Sequence, residues 1–266
     1  MKIGIIGLGD IAQKGYLPVL TEKENIELIL CTRNINTLNK LSEKYRIMQY
    51  VQTVDELIEK GIDAAFVSTA TEAHFKIAEK LLNNGINVYI DKPISLNFND
   101  TKKLVRLAEE KSLVTMVGFN RRFAPMISKL KEHGKADIII LQKNRFNFPD
   151  NTRRAIVEDF VHVVDTLRFL MDTEVKELKV RYLEKDKLLH NVVIQLIGEE
   201  CTAIGIMNRN NGVTEEIIEY MTAENKLVVE NFVETTKFHN KNKNIIKFGD
   251  WEPTLYKRGF YQIAAL

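Results

Sequence analysis

Glu158, His162 and Asp165 recur at i, i+4 and i+7, a spacing that sets three ionisable side chains on one helical face while Phe160, Val164, Leu167 and Met171 line another. A carboxylate beside an imidazole raises its basicity and fixes its tautomer, giving a general base able to take a proton from a hydroxyl. A solvated polar face would use the same spacing, and so would a metal pair, because Glu and His at i, i+4 can both ligate. No further His or Cys stands at ligand spacing, so no metal is expected. Lys92, within Val88-Tyr89-Ile90-Asp91-Lys92-Pro93, stands at the carboxyl end of an apolar run. Desolvated there, it would move a proton or polarise a substrate oxygen. On its own it reads better as a surface lysine at a strand end. The three ionisable groups on one helix favour the chemical reading.

A second motif opens the chain. Gly7-Leu8-Gly9-Asp10-Ile11-Ala12 follows a short apolar run and begins an amphipathic one, the context of a G-x-G-x-x-G/A dinucleotide turn. Gly7 permits the tight turn, Gly9 lets the backbone approach a pyrophosphate, and Ala12 is small enough for close helix-to-strand packing. The backbone N–H groups of the helix start, across Leu8, Asp10 and Ile11, would hold the phosphates. An Asp or Glu about 20 residues on usually binds the ribose hydroxyls of NAD. Thr32 and Arg33 stand there instead. A guanidinium clamps a 2′-phosphate with charge-assisted bonds, which points to NADP, with NAD still open.

These residues need elements to position them. Strand and helix patterns alternate through the first half: strands over 2–6, 26–32, 64–68, 87–91 and 114–118, helices over 11–20, 37–45, 54–60, 71–83 and 99–111. That is the pattern of a doubly wound parallel sheet. Beyond Phe119 the rhythm changes to a strand over 136–146, a helix over 155–171, and β-runs over 175–183, 188–197, 203–207, 215–222 and 226–232. An α+β domain with an open, mostly antiparallel sheet follows, with 239–244 read as a loop. The expected division is a Rossmann domain over 1–119 and a substrate and oligomerisation domain over 120–266.

The formal charge of the 266 residues is +2, with acids and bases interspersed, so no basic stripe suggests nucleic acid or a membrane surface. A small-molecule partner is expected. Cys31 and Cys201 sit singly in apolar runs, as core residues of a reducing compartment do, and the glycines of the N-terminus argue against a secretory signal; the expectation is cytoplasmic.

Taken together, the glycine turn, Ser68-Thr69-Ala70-Thr71-Glu72-Ala73-His74, Asp91-Lys92-Pro93 and Gly118-Phe119-Asn120-Arg121-Arg122-Phe123 resemble the glucose–fructose oxidoreductase, inositol dehydrogenase and MocA-type (Gfo/Idh/MocA) family. The resemblance runs from Met1 to near the end. It implies NAD(P)-dependent oxidation of a sugar, polyol or related hydroxyl compound, catalytic roles for Lys92 and His162, cofactor contacts from Ser68, Thr69, Ala70, His74 and Asp91, and homodimers or homotetramers built on the open sheet. Asn120 and Arg122 would serve the substrate. Asp91 and Glu158 stand where the family usually has Glu and Asp, and the family commonly continues in helix beyond 259–266. Two other readings stay open: a non-catalytic NADP-binding sensor, and a glycoside-cleaving enzyme that recycles its cofactor.

Overall fold

The computed structural model describes residues 1–265; Leu266, the last residue of the expected second domain, lies outside the described residues. The chain divides into two compact units, 1–118 with 264–265, and 119–263.

In the first unit, β1 (Lys2–Ile6), β2 (Glu27–Cys31), β3 (Gln49–Val51), β4 (Ala64–Val67), β5 (Asn87–Ile90) and β6 (Thr115–Val117) form a six-stranded sheet in the order β3-β2-β1-β4-β5-β6. Every pairing in it is parallel. Strands covered on both faces carry continuous apolar runs rather than alternation, and Ile5, Ile29, Leu30, Val67 and Ile90 are fully buried or nearly so. Helices α2 (Ile35–Tyr45), α3 (Val54–Glu59), α4 (Thr71–Asn83) and α5 (Phe98–Glu110) start where the sequence supplies caps: Asn34 before α2, the Thr53/Glu56 capping box on α3, and Asn97 before α5. The strand order reverses between β1 and β4, which opens a crevice at their carboxyl ends.

The helix predicted over 11–20 is not uniform. Residues 12–16 form a π-turn, closed by the Leu17 N–H on the Ala12 carbonyl, and only α1 (Leu17–Leu20) after it is α-helical. Pro18 stands at the start of α1 and has no N–H to offer the turn before it, so the register changes there.

The second unit holds a nine-stranded sheet of β7 (Ile138–Asn144), β8 (Asp150–Asn151), β9 (Glu177–Lys185), β10 (Leu188–Ile197), β11 (Thr202–Asn208), β12 (Glu215–Met221), β13 (Asn225–Glu230), β14 (Glu234–His239) and β15 (Asn242–Lys247). Its order is β15-β14-β13-β12-β7-β11-β10-β8, with β9 also on β10, and all pairs are antiparallel except β7 with β11. Short helices α6 (Pro125–Ser128) and α7 (Thr152–Arg154) precede the long helix; α9 (Thr254–Lys257) and α10 (Phe260–Ile263) end the unit. The long helix is again composite, a π-turn over 155–160 followed by α8 (Val161–Met171). No residue in it signals that wider turn. Val163 and Leu167 of α8 press on the sheet at Gly205, where a Cβ would stand 2.8 Å from Val163 Cγ1.

The loop expected over 239–244 is instead a hairpin. His239 ends β14, Asn242 begins β15, and Asn240 and Lys241 make the turn with φ of 49° and 65°. Paired positive φ values are those of a two-residue turn that follows the strand twist, and Asn tolerates them. β14 and β15 escape sequence reading because β15 is exposed along its length and so carries no apolar alternation.

Candidate active site

The glycine turn begins where β1 ends. Gly7 has φ +83°, and a Cβ on it would lie 2.6 Å from the backbone nitrogen of Thr69 and 2.7 Å from the carbonyl of Ser68. Only glycine permits both the backbone angle and that approach to the end of β4. Gly9 faces open space, with nothing within 4 Å of where a Cβ would stand, and Ala12 is fully buried against the sheet. Leu8 is buried, so it offers a ligand its backbone; its carbonyl accepts from Gln13 Nε2 at 2.7 Å. Asp10 is exposed and paired with Lys14, and Ile11 is half-buried.

Ser68 follows β4, directly beside this turn. Its hydroxyl is buried and has no hydrogen-bond partner among the described residues. A buried unsatisfied hydroxyl beside a positive-φ glycine turn and an open Gly9 fits a dinucleotide pyrophosphate, which would supply the missing partner. Thr69 and Ala70 follow at the rim, leading into α4. His74, in the first turns of that helix, is almost wholly buried, and its Nδ1 and Nε2 meet the carbonyls of Pro93 and Thr69 at 2.8 and 3.0 Å. It therefore ties the cofactor rim to the segment that carries Lys92.

At the end of β2, Thr32 is half-buried and Arg33 exposed. The Arg33 carbonyl accepts from Gln52 Nε2 at 3.0 Å, and Asn34 beside it caps α2. The backbone is thus held from two sides while the guanidinium points outward.

Asp91 and Lys92 follow β5, and both are half-buried. The Tyr16 hydroxyl donates to Asp91 Oδ1 at 2.6 Å, and Tyr89 donates to Tyr16 at 3.2 Å. Burial pushes the Asp91 carboxyl above its usual range, against the opposing pull of the Tyr16 hydroxyl, Lys92 and His74. Tyr16 carries no signal of this role in the sequence, where it lies 75 residues from its partner on a helix whose register is broken.

In the second unit His162 and Asp165 are both buried on α8, whereas Glu158, on the π-turn, is half-buried and 3.8 Å from Arg154. The Phe119 ring meets the His162 imidazole edge-on, with centroids 6.5 Å apart. The Asp165 carboxylate accepts from Arg122 Nε at 2.9 and 3.0 Å and from its Nη2, and the Arg122 guanidinium also stands over Phe119 and Phe169. Burial pushes Asp165 up despite that pairing. Asn120 is buried and donates to the Arg258 carbonyl at 2.8 Å. Arg122 and Asp165 are thus brought together, and Asn120 is engaged with the backbone near α10.

A second polar cluster had no sequence signal of its own. Lys143 of β7 is buried and bonds Glu216 of β12, which also receives Arg121 Nε and Nη2; Asp159 binds Arg145 and the buried Arg209. Period-two alternation along β7 and β12 puts Lys143 and Glu216 on the same face as buried Leu141 and Ile218.

Comparison with known proteins shows the family. Residues 1–119 match the model of an oxidoreductase family with an NAD-binding Rossmann fold, and residues 125–240 match a YceM-like C-terminal domain. The oxidoreductase YceM of Salmonella typhimurium is 32% identical over 275 residues, covering 98% of this chain and 86% of that protein. This chain belongs to the Gfo/Idh/MocA oxidoreductase family. A dehydrogenase (MviM) of Clostridium difficile superposes on this Gfo/Idh/MocA chain with a TM-score of 0.95 at 33% identity, covering 100% of it and 88% of the other. The myo-inositol 2-dehydrogenase of Thermotoga maritima is 25% identical over 231 residues, 80% of this chain and 66% of that one. Among the described residues no helix is long and apolar enough to cross a membrane.

Proposed function

We propose that this Gfo/Idh/MocA protein is an NADP-preferring dehydrogenase or reductase acting on a sugar, polyol or related hydroxyl or carbonyl compound. The observation that carries the cofactor preference is Thr32-Arg33 at the carboxyl end of β2, an exposed Arg33 on a fixed backbone, with Thr rather than Asp or Glu at the strand end where an acid would take the ribose hydroxyls. The kinship with an inositol dehydrogenase supports the substrate class.

When bound, the nicotinamide would exchange a hydride with a carbinol or carbonyl carbon. Oxidation also requires the hydroxyl proton to leave, and His162 is the base that would take it; Lys92 would polarise a substrate oxygen. Glu158 and Asp165 would act on the imidazole from the same helix, Asp165 with its charge balanced by Arg122. Leu8, Gly9, Asp10 and Ile11 would give backbone contacts to the pyrophosphate, and Ser68 its hydroxyl.

Fluorescence titration with NADPH and then NADH, in low phosphate, tests the reading. Tight binding with NADPH preferred is expected. Equal affinities would remove the NADP preference, and no binding to either would remove the enzyme. Turnover of a sugar or polyol with loss or gain of NADPH absorbance separates a dehydrogenase from a sensor that only binds.

The second unit's sheet is also proposed as the face for self-association. Ile138, Leu183 and Val193 lie on the side away from α8, and each is exposed. Sedimentation of the intact chain as a dimer or tetramer is the expected result.

A further inference from the structure

Three elements of the first unit converge on one carboxylate. Tyr16 comes from the π-turn, Tyr89 from β5, Gly118 follows β6, and Asp91 ends the row. Both phenol rings are buried and pack on each other and on Phe66, with centroids 4.4 to 5.6 Å apart. The hydroxyls form a directed chain: Tyr89 donates to Tyr16, and Tyr16 donates to Asp91 Oδ1. Gly118 closes it, since a Cβ there would stand 2.8 Å from each phenol oxygen and 3.2 Å from Oδ1. A side chain at that position would displace all three oxygens at once.

We propose that Tyr16, backed by Tyr89, is a positioning residue of this enzyme, holding the Asp91 carboxylate in one orientation as the counter-charge of Lys92. The inference rests on Lys92 taking part in the reaction. Its physical basis is geometric, a phenol donor fixed on one carboxylate oxygen at 2.6 Å; partial burial favours the protonated acid, and the phenol donor favours the ionised form. Without the Tyr16 hydroxyl that opposing pull is lost, the Asp91 carboxyl moves further toward its neutral form, and the anion beside Lys92 is weakened. The titratable and charged groups facing Asp91 are Tyr16, Lys92 and His74, with Tyr89 behind Tyr16.

Tyr16→Phe removes one oxygen and keeps the ring on Phe66 and Tyr89. Competitive labelling with acetic anhydride across a pH series, read on the Lys92 peptide by mass spectrometry, needs neither substrate nor cofactor; exposed Lys40 and Lys111 serve as internal references. The Lys92 midpoint is expected to fall in Tyr16→Phe and in Asp91→Asn, and to fall no further in the double variant, while the references stay in place. Tyr89→Phe moves it less, in the same direction. An unmoved Lys92 midpoint in folded Tyr16→Phe overturns the proposal, and if that variant does not fold, Asp91→Asn decides in the same way. With NADP⁺ and a turned-over polyol, Tyr16→Phe is expected to lower kcat about tenfold or more, displace its pH profile and leave the KM for NADP⁺ within about twofold. A Lys92 midpoint that responds in a protein turning over no sugar or polyol would sink the proposed function and leave the Tyr16–Asp91 coupling standing.

Discussion

Gly7 and Thr69, one after β1 and the other after β4, approach so closely that a Cβ on Gly7 would stand 2.6 Å from the Thr69 amide nitrogen. Gly7→Ala must therefore move the backbone as well as adopt a φ that costs an L-residue about 1–2 kcal/mol. The expected outcome is loss of NADPH fluorescence enhancement together with a lower unfolding temperature. Gly9→Ala meets open space in the free protein, so it should keep its unfolding temperature and lose cofactor affinity alone.

Cofactor choice is assigned to the end of β2. Arg33→Ala is expected to weaken NADPH binding about tenfold or more, the scale of a charge-assisted contact, and to leave NADH nearly unchanged. Thr32→Asp should raise NADH affinity. A titration in which both cofactors weaken equally would mean that Arg33 only supports the loop.

Lys92→Ala and His162→Ala are each expected to reduce turnover by about 10²-fold or more while NADPH still binds. Near-normal kcat in either variant removes that residue from the mechanism. Neither result depends on the other, so the pair tests two assignments.

Acid stability should follow the second unit's ionic cluster. Burial alone would push Glu216 up, but Arg121 and Lys143 hold it at about 2, below its ordinary 4.5. Because the unfolded chain then takes up the proton first, this stabilisation is complete above pH 4.5 and is lost as pH falls toward about 2. Glu216→Gln leaves Arg121 and Lys143 facing a neutral amide, at a cost of about 3 kcal/mol. Urea unfolding at pH 7 should show that loss, and a series down to pH 3 should show a flatter slope than the parent.

How much of this was legible in the residues follows from where each signal resides. Five of the six strands of the first sheet could be read because they carry apolar runs, and its helices carry their own caps at Asn34, Thr53 and Asn97; β3, three residues long with only Val51 buried, gave too short a signal and was missed. The positions of Gly7 and Lys92 are likewise set by local context, a turn after a strand and a strand end. Tyr16 was hidden by the π-turn, which changes which side chains share a face. Arg122 as the partner of Asp165 was hidden by 43 residues of separation, a distance that only the fold closes. Lys143 and Glu216 were hidden by their charge, since a charged residue in a strand is ordinarily solvated and only the partner across the ladder makes its burial tolerable. β15 is exposed throughout and β14 buries only Thr235 and Thr236, neighbours in sequence, so the hairpin lacked the apolar alternation on which strand reading depends.

The strand β9 is exposed on both faces along all nine residues and, among the described residues, pairs only with β10. Its other margin is a row of backbone donors and acceptors open to any extended peptide that arrives. Lys179, Arg181 and Lys185, spaced along it, are the gatekeepers: each charge makes an incoming strand shed hydration before it can register. Even a polypeptide whose cores are well filled thus carries one margin guarded by the hydration of its charges instead of by packing.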